Sequence, residues 1–125
     1  MRIDRFDHLV LTVADLDRTV DFYTRVLGMR AETFGEGRRA LVFGRQKVNL
    51  HLAGHEFEPK AAAAAPGTAD FCLVTETPLA QVQQELAEHD VPLEVGPVPK
   101  EGALGRMRSV YVRDPDGNLV EIAVY

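Results

Sequence analysis

The chain has a single cysteine, Cys72. An internal disulfide is therefore excluded, and a reducing cytoplasm is the expected location. With no Cys-x-x-Cys pair, any metal site has to be built from His, Asp and Glu. No apolar run approaches the roughly 20 residues needed to span a bilayer. The opening residues Met1-Arg2-Ile3-Asp4-Arg5 lack the apolar stretch of a secretory leader. An excess of positive charge is also lacking: the net charge of −5 argues against nucleic acid and anionic membranes as partners. What is present is ordinary. Hydrophobic residues at 46% and charged residues at 26% of 125 suit one soluble globular domain, or two small modules sharing one core.

Apolar periodicity orders the chain. Residues 3–13 alternate as a strand, with Leu9, Leu11 and Val13 on one face and His8, Val10 and Thr12 on the other. Asp15 then N-caps a helix whose stripe is Leu16, Val20, Tyr23, Val26 and Leu27, closed by Gly28. Strands follow at 29–34, 39–43 and 47–52. In the last of these Val48, Leu50 and Leu52 share one face, and Asn49 and His51 the other. Residues 54–67, with five alanines at 61–65 between prolines, read as a linker containing a helical turn. The plan then restarts. A strand at 70–75 is followed by a helix with Thr77 as N-cap and Pro78 in its first turn. An edge strand at 92–95, a Gly/Pro loop at 96–105 and a hairpin at 107–112 and 119–124 complete it. Asp114-Pro115-Asp116-Gly117-Asn118 is dense in turn-forming residues.

The order strand-helix-strand-strand-strand thus occurs twice, in module one (1–53) and module two (68–125), joined by the linker 54–67. Packing the apolar strand faces on the helices leaves His8, His51, Asp70 and Glu121 on the opposite faces, at the first and last strands of each module. Each has a plain structural alternative: a half-exposed His8, an Asp70 that caps its strand, a Glu121 paired with Arg113 or Arg106. Four ionisable groups at equivalent positions favour a shared role. Two imidazoles and two carboxylates suit one divalent ion among Fe, Mn, Ni, Co and Zn, whose charge would offset the burial of the carboxylates. Cys72 lies two residues from Asp70 and reads as a wall of the same site. Lys100, Arg106 and Arg108 are candidates to hold an anionic substrate. Tyr23 and Tyr111 read as core, and His55 and His89 as solvated.

The segments DHLVLTVADLDRTVDFYTRVLGM (7–29), VNLHL (48–52) and RDPDGNLVEIAVY (113–125) resemble the vicinal oxygen chelate superfamily. That superfamily includes glyoxalase I, extradiol dioxygenases, fosfomycin-resistance enzymes and bleomycin-binding proteins. Gly44-Arg45-Gln46-Lys47-Val48-Asn49-Leu50-His51 and HEFEPKA (55–61) resemble its glyoxalase-domain group labelled virulence or dioxygenase-III-related proteins. The resemblance implies an α+β fold of two βαβββ modules forming a mixed-sheet cleft, a metal in that cleft, and a homodimer. It matches His8 and Glu121 to the most regular ligand positions. His51 falls where glyoxalases often have Glu, and Asp70 where they often have His.

The chemistry expected is that of a metal-dependent glyoxalase-like lyase or isomerase. Its substrate would be small and oxygenated, with a thiol conjugate as one option, and Glu121 would be the catalytic carboxylate. The alternatives are an extradiol-type dioxygenase using His8, His51 and Glu121, a thiol transferase, and a non-enzymatic drug-binding protein.

Overall fold

Asp15 closes the first strand and opens the first helix. β1 (His8–Val13) leads into it. The Asp15 carboxylate accepts a hydrogen bond from the Arg18 N–H at 3.0 Å, satisfying one free donor of α1 (Leu16–Asp21). α1 passes into a π-helical turn, Phe22–Val26, so the single regular helix expected here is two pieces. The Thr24 hydroxyl donates to the Val20 carbonyl at 2.7 Å and competes there with the ordinary backbone ladder. Gly28, at φ +71°, then ends the helical run in the left-handed conformation that glycine takes without strain.

The computed structural model describes residues 1–125, which divide into two units, Met1–Thr68 and Ala69–Tyr125. In unit 1, β2 (Arg30–Phe34), β3 (Arg38–Phe43) and β4 (Gln46–Leu52) join β1 in the order β1-β4-β3-β2. β4 runs parallel to β1 and antiparallel to β3. Leu11, Val13, Leu41, Val48 and Leu50 are buried, as are Tyr23 and Val26 of the helical segment. This is the apolar face expected from the alternation. Residues 53–69 hold turns and no helix, contrary to the helical turn expected at the alanines. Five alanines bounded by prolines are too short to nucleate one.

Unit 2 repeats the plan with β5 (Asp70–Val74), α2 (Leu79–Glu88), β6 (Val95–Gly102), β7 (Gly105–Arg113) and β8 (Leu119–Val124), in the order β5-β8-β7-β6. Three expectations need correction: the edge strand expected at 92–95 begins only at Val95, and two others follow. The N-cap of α2 is Pro78, not Thr77; the Thr77 N–H donates instead to the Thr75 hydroxyl at 3.1 Å. Residues 96–102 are strand, not loop. Pro97 and Pro99 are tolerated because β6 is an edge strand, where a missing N–H breaks no second ladder. Gly96 permits the approach. A Cβ there would lie 2.6 Å from the Ser109 carbonyl oxygen and 3.0 Å from the Val110 Cα, and the register shifts between Val95 and Val98.

The β7–β8 turn is a closed polar network. One Asp114 oxygen accepts from the N–H of Asp116 at 3.0 Å and of Asn118 at 2.9 Å, and the other from the Asn118 amide at 2.8 Å. The Asn118 carbonyl oxygen in turn accepts the Ala69 N–H at 2.9 Å, tying the turn to the start of β5. Asp114 and Asn118 are both buried. No helix is long and apolar enough to cross a membrane.

Candidate functional site

In unit 2, strand pairing gathers the chemistry around Glu121. β5 and β8 are parallel with Cys72 opposite Glu121, and β7 and β8 are antiparallel with Tyr111 opposite Glu121. A thiol and a phenol therefore flank the carboxylate from both neighbouring strands, on the same sheet face. Glu121 is half-buried, and its Oε1 is enclosed with no hydrogen-bond partner in the chain. Asp70 begins β5 opposite Leu119, on the same face and exposed. The Lys100 ammonium lies 5.4 Å from the centre of the Tyr111 ring.

The two flanking groups are held neutral. Burial, and then the Glu121 charge, push the Cys72 thiol up to about 11. Burial, and then the adjoining Glu121, push Tyr111 up to about 12, with Cys72 and Asp70 adding to the rise. Near neutral pH both residues are hydrogen donors, and neither is a nucleophile. Alkylation of Cys72 by iodoacetamide in the metal-free protein at pH 8 should accordingly run about a hundredfold slower than for a free thiol and climb steadily through pH 10. Quantified by mass spectrometry, a rate at pH 8 equal to that of free cysteine would contradict this environment.

The ion pairs considered for Glu121 do not form. The Arg113 guanidinium donates to Glu94 at 3.3 Å and to the Gly117 carbonyl at 3.1 Å, and Arg106 lies 3.6 Å from Glu101. Arg106 and Arg108, expected with Lys100 to hold an anionic substrate, are set apart from Glu121 by strand alternation. Tyr111 shares the Glu121 face, so Arg106 and Arg108, at odd spacings from it along β7, point to the opposite face. Lys100, paired with Met107, is the cation on the Glu121 side. Tyr111 is also not core. It is half-buried beside Glu121, and counting back through the turn by strand parity would have found it.

Unit 1 holds the two histidines, but not together. His8 pairs with Lys47, and Thr12, four residues further along β1, pairs with His51. At about 3.3 Å per residue the two histidines are about 13 Å apart along the ladder, too far to share one ion. His51 is 7% exposed and its Nδ1 has no partner. Its ring meets Phe57 edge-on at 5.5 Å, and the Arg38 guanidinium lies 4.4 Å over the same Phe57. His8 is half-exposed, with Nδ1 2.7 Å from the Asp7 carboxylate. That contact holds Asp7 below the usual carboxylate range. The contact with Asp7 fixes the orientation of the His8 ring, as carboxylates orient histidines at metal sites. Within neither unit do three His, Cys, Asp or Glu side chains converge as a metal cluster.

A family model, described as the Glyoxalase/Bleomycin resistance protein/Dioxygenase superfamily, matches residues 5–122. The chain belongs to that superfamily. Virulence protein STM3117 of Salmonella typhimurium is 52% identical over 125 residues, which is all of this chain and 87% of that protein. Its crystal structure superposes with a TM-score of 0.99, covering 100% of this chain and 99% of that one. Glyoxalase domain-containing protein RDO1 of Mycosarcoma maydis is 50% identical over all of this chain and 70% of its own length. Neither protein's name specifies a reaction. Lactoylglutathione lyase GLX1 of Arabidopsis thaliana is 31% identical over 94% of this chain and 43% of its own length. The superfamily contains glyoxalase-like enzymes, and its members often use a divalent metal ion.

The residues present fit such an ion in kind. In unit 2 the enclosed, unpartnered Glu121 Oε1 is a donor suited to a positive group, and in unit 1 Asp7 orients the His8 ring.

Proposed function

We propose that this chain is a metal-dependent glyoxalase-like isomerase or lyase acting on a small substrate with two adjacent oxygens, carried as a thiol conjugate. The observation that carries the reading is Glu121. It is a carboxylate in the middle of a strand, with one oxygen unpartnered and a neutral thiol and phenol on either side. The similarity to a lactoylglutathione lyase suggests the conjugate to try first. Lactoylglutathione is a thioester, and its isomeric precursor is the hemithioacetal of methylglyoxal and glutathione.

That conversion moves one proton between neighbouring carbons and one between the two oxygens they carry, and leaves the atom count unchanged. Glu121 takes the proton from the carbon bearing sulfur and returns it to the former carbonyl carbon. Tyr111, neutral and directly across from Glu121, donates toward oxygen and does not compete for the proton. Lys100 places a positive charge beside that phenol, suited to a substrate carboxylate. Asp70 and Glu121, on one face of the unit 2 sheet, are the residues there that would bind a divalent ion, which would supply Lewis-acid polarisation of the two substrate oxygens.

The dioxygenase alternative loses ground because its two-His, one-carboxylate set needs His51 beside His8, and the β1–β4 register separates them. The working form in this reading is a homodimer. The test is thioester formation, followed in the ultraviolet, from methylglyoxal and glutathione by protein loaded with Mn, Ni, Co or Zn. Metal-dependent turnover is expected. No turnover with any ion, together with retention of small aromatic ligands by metal-stripped protein, would replace this reading with a binding module.

A further inference from the structure

The end of the unit 1 sheet where β3 turns into β4 holds a cavity of about 260 Å³. Gly44 and Arg45 make the turn there, since Phe43 pairs directly with Gln46. Gly44 takes φ +50°, and a side chain in its place would meet nothing within 4 Å. Strand register sets what lines the cavity. Arg30 of β2 pairs with Val42 of β3, and Val42 pairs with Lys47 of β4, so two cations flank a valine on one sheet face. Glu32, two residues along β2, is on that same face, about 7 Å from Arg30 along the strand.

The charges around this cavity are not used up within the chain. The side chains of Arg30, Glu32 and Arg45 make no ion pair or hydrogen bond. The half-buried Lys47 sets its ammonium 4.0 Å from the centre of the Phe34 ring, not on a carboxylate. Asp7, the remaining charged group, is engaged by His8 at 2.7 Å. Three cations and one free carboxylate therefore line one small space. A plain dianion would set one of its charges against Glu32, and a simple amine would meet the three cations. A molecule with two carboxylates and one ammonium complements all four groups.

We propose that this cavity binds an acidic α-amino acid. The α-carboxylate takes the Arg30 guanidinium, the ammonium takes Glu32, and the distal carboxylate takes Arg45 and Lys47. The inference goes beyond the reaction assigned to Glu121 and stands without it, because every group it uses belongs to unit 1.

The experiment is calorimetric titration of the purified protein with L-glutamate at low ionic strength, where exposed charges are least screened. Glutarate, which lacks the ammonium, and L-norvaline, which lacks the distal carboxylate, are titrated beside it. Wild type should bind L-glutamate with a Kd below about 1 mM, and each analogue at least tenfold more weakly. Arg45→Gln and Lys47→Met should each weaken L-glutamate at least fivefold. Glu32→Gln should weaken L-glutamate at least tenfold while leaving glutarate unchanged or tighter, an opposite response that a folding defect cannot produce. Circular dichroism melts identify any variant that does not fold. No saturable binding of L-glutamate by wild type would overturn the proposal. Glutarate bound as tightly as L-glutamate would also overturn it, and would leave a plain anion site. Unchanged L-glutamate binding by Glu32→Gln, or by both Arg45→Gln and Lys47→Met, would place any observed binding elsewhere on the chain and overturn it as well.

Discussion

Glu121→Gln is expected to lower the isomerisation rate by about a thousandfold, within the 10²–10⁴ range of a lost general base. The substitution keeps the size of the side chain and its place opposite Cys72 and Tyr111, so the fold should be unaffected. What it removes is the capacity to accept and return a proton. The loss should fall mainly on kcat. It should not be recovered by raising the metal concentration, which separates the proton role from any weakening of the ion. Steady-state kinetics at saturating metal would check this, and a rate within threefold of wild type would remove Glu121 from the proton transfer. The charge of Glu121 is among the causes that raise Cys72, so the same variant should make Cys72 easier to alkylate.

Asn118→Ala should be the most damaging of the turn substitutions. Asn118 is 1% exposed and donates to Asp114 while accepting from the Ala69 N–H. Its removal takes one hydrogen bond from the buried Asp114 carboxylate and leaves the partly buried Ala69 N–H without its partner, at about 1–3 kcal/mol each. A combined loss of about 2–4 kcal/mol corresponds to a fall in Tm of roughly 10 °C for a chain of this length. Differential scanning calorimetry would measure it. A shift under 3 °C would mean that water or a rearranged turn restores both bonds.

Much of this architecture can be read from alternation and caps. The burial of Leu11 and Val13, Val48 and Leu50, and Val120 and Ile122 follows from period-two patterning, and Asp15 marks its helix start by side-chain chemistry alone. The π-helical turn at Phe22–Val26 left no pattern, because a single hydroxyl contact from Thr24 is invisible to periodicity. β6 was hidden by Pro97 and Pro99, which signal a loop until the strand is known to lie at an edge. The candidate site was legible as a face but not as a register. Matching His51 to Glu121 by ionisable character slipped the comparison by two residues. Parallel pairing between strands so far apart in sequence is set by tertiary packing, and it keeps the face while moving the position along it. Lys100 was missed as a neighbour of Glu121 for a similar reason, since it belongs to it only once β6 is aligned, whereas Tyr111 was open to hairpin parity and was overlooked.

The central place of β4 and β8 in their sheets bears on how the protein is made. In each unit the strand that arrives last in synthesis is inserted between the first strand and an existing hairpin. Until β4 emerges from the ribosome, β1 has no partner, and the same holds for β5 before β8. Each sheet must therefore wait for a long loop to close before its hairpin gains a third and fourth strand, a topology that slows folding relative to a meander of the same length. During that interval β1 and β5 are exposed strand edges, with Val10 and Val74 outward, and these are the segments a chaperone would be expected to hold.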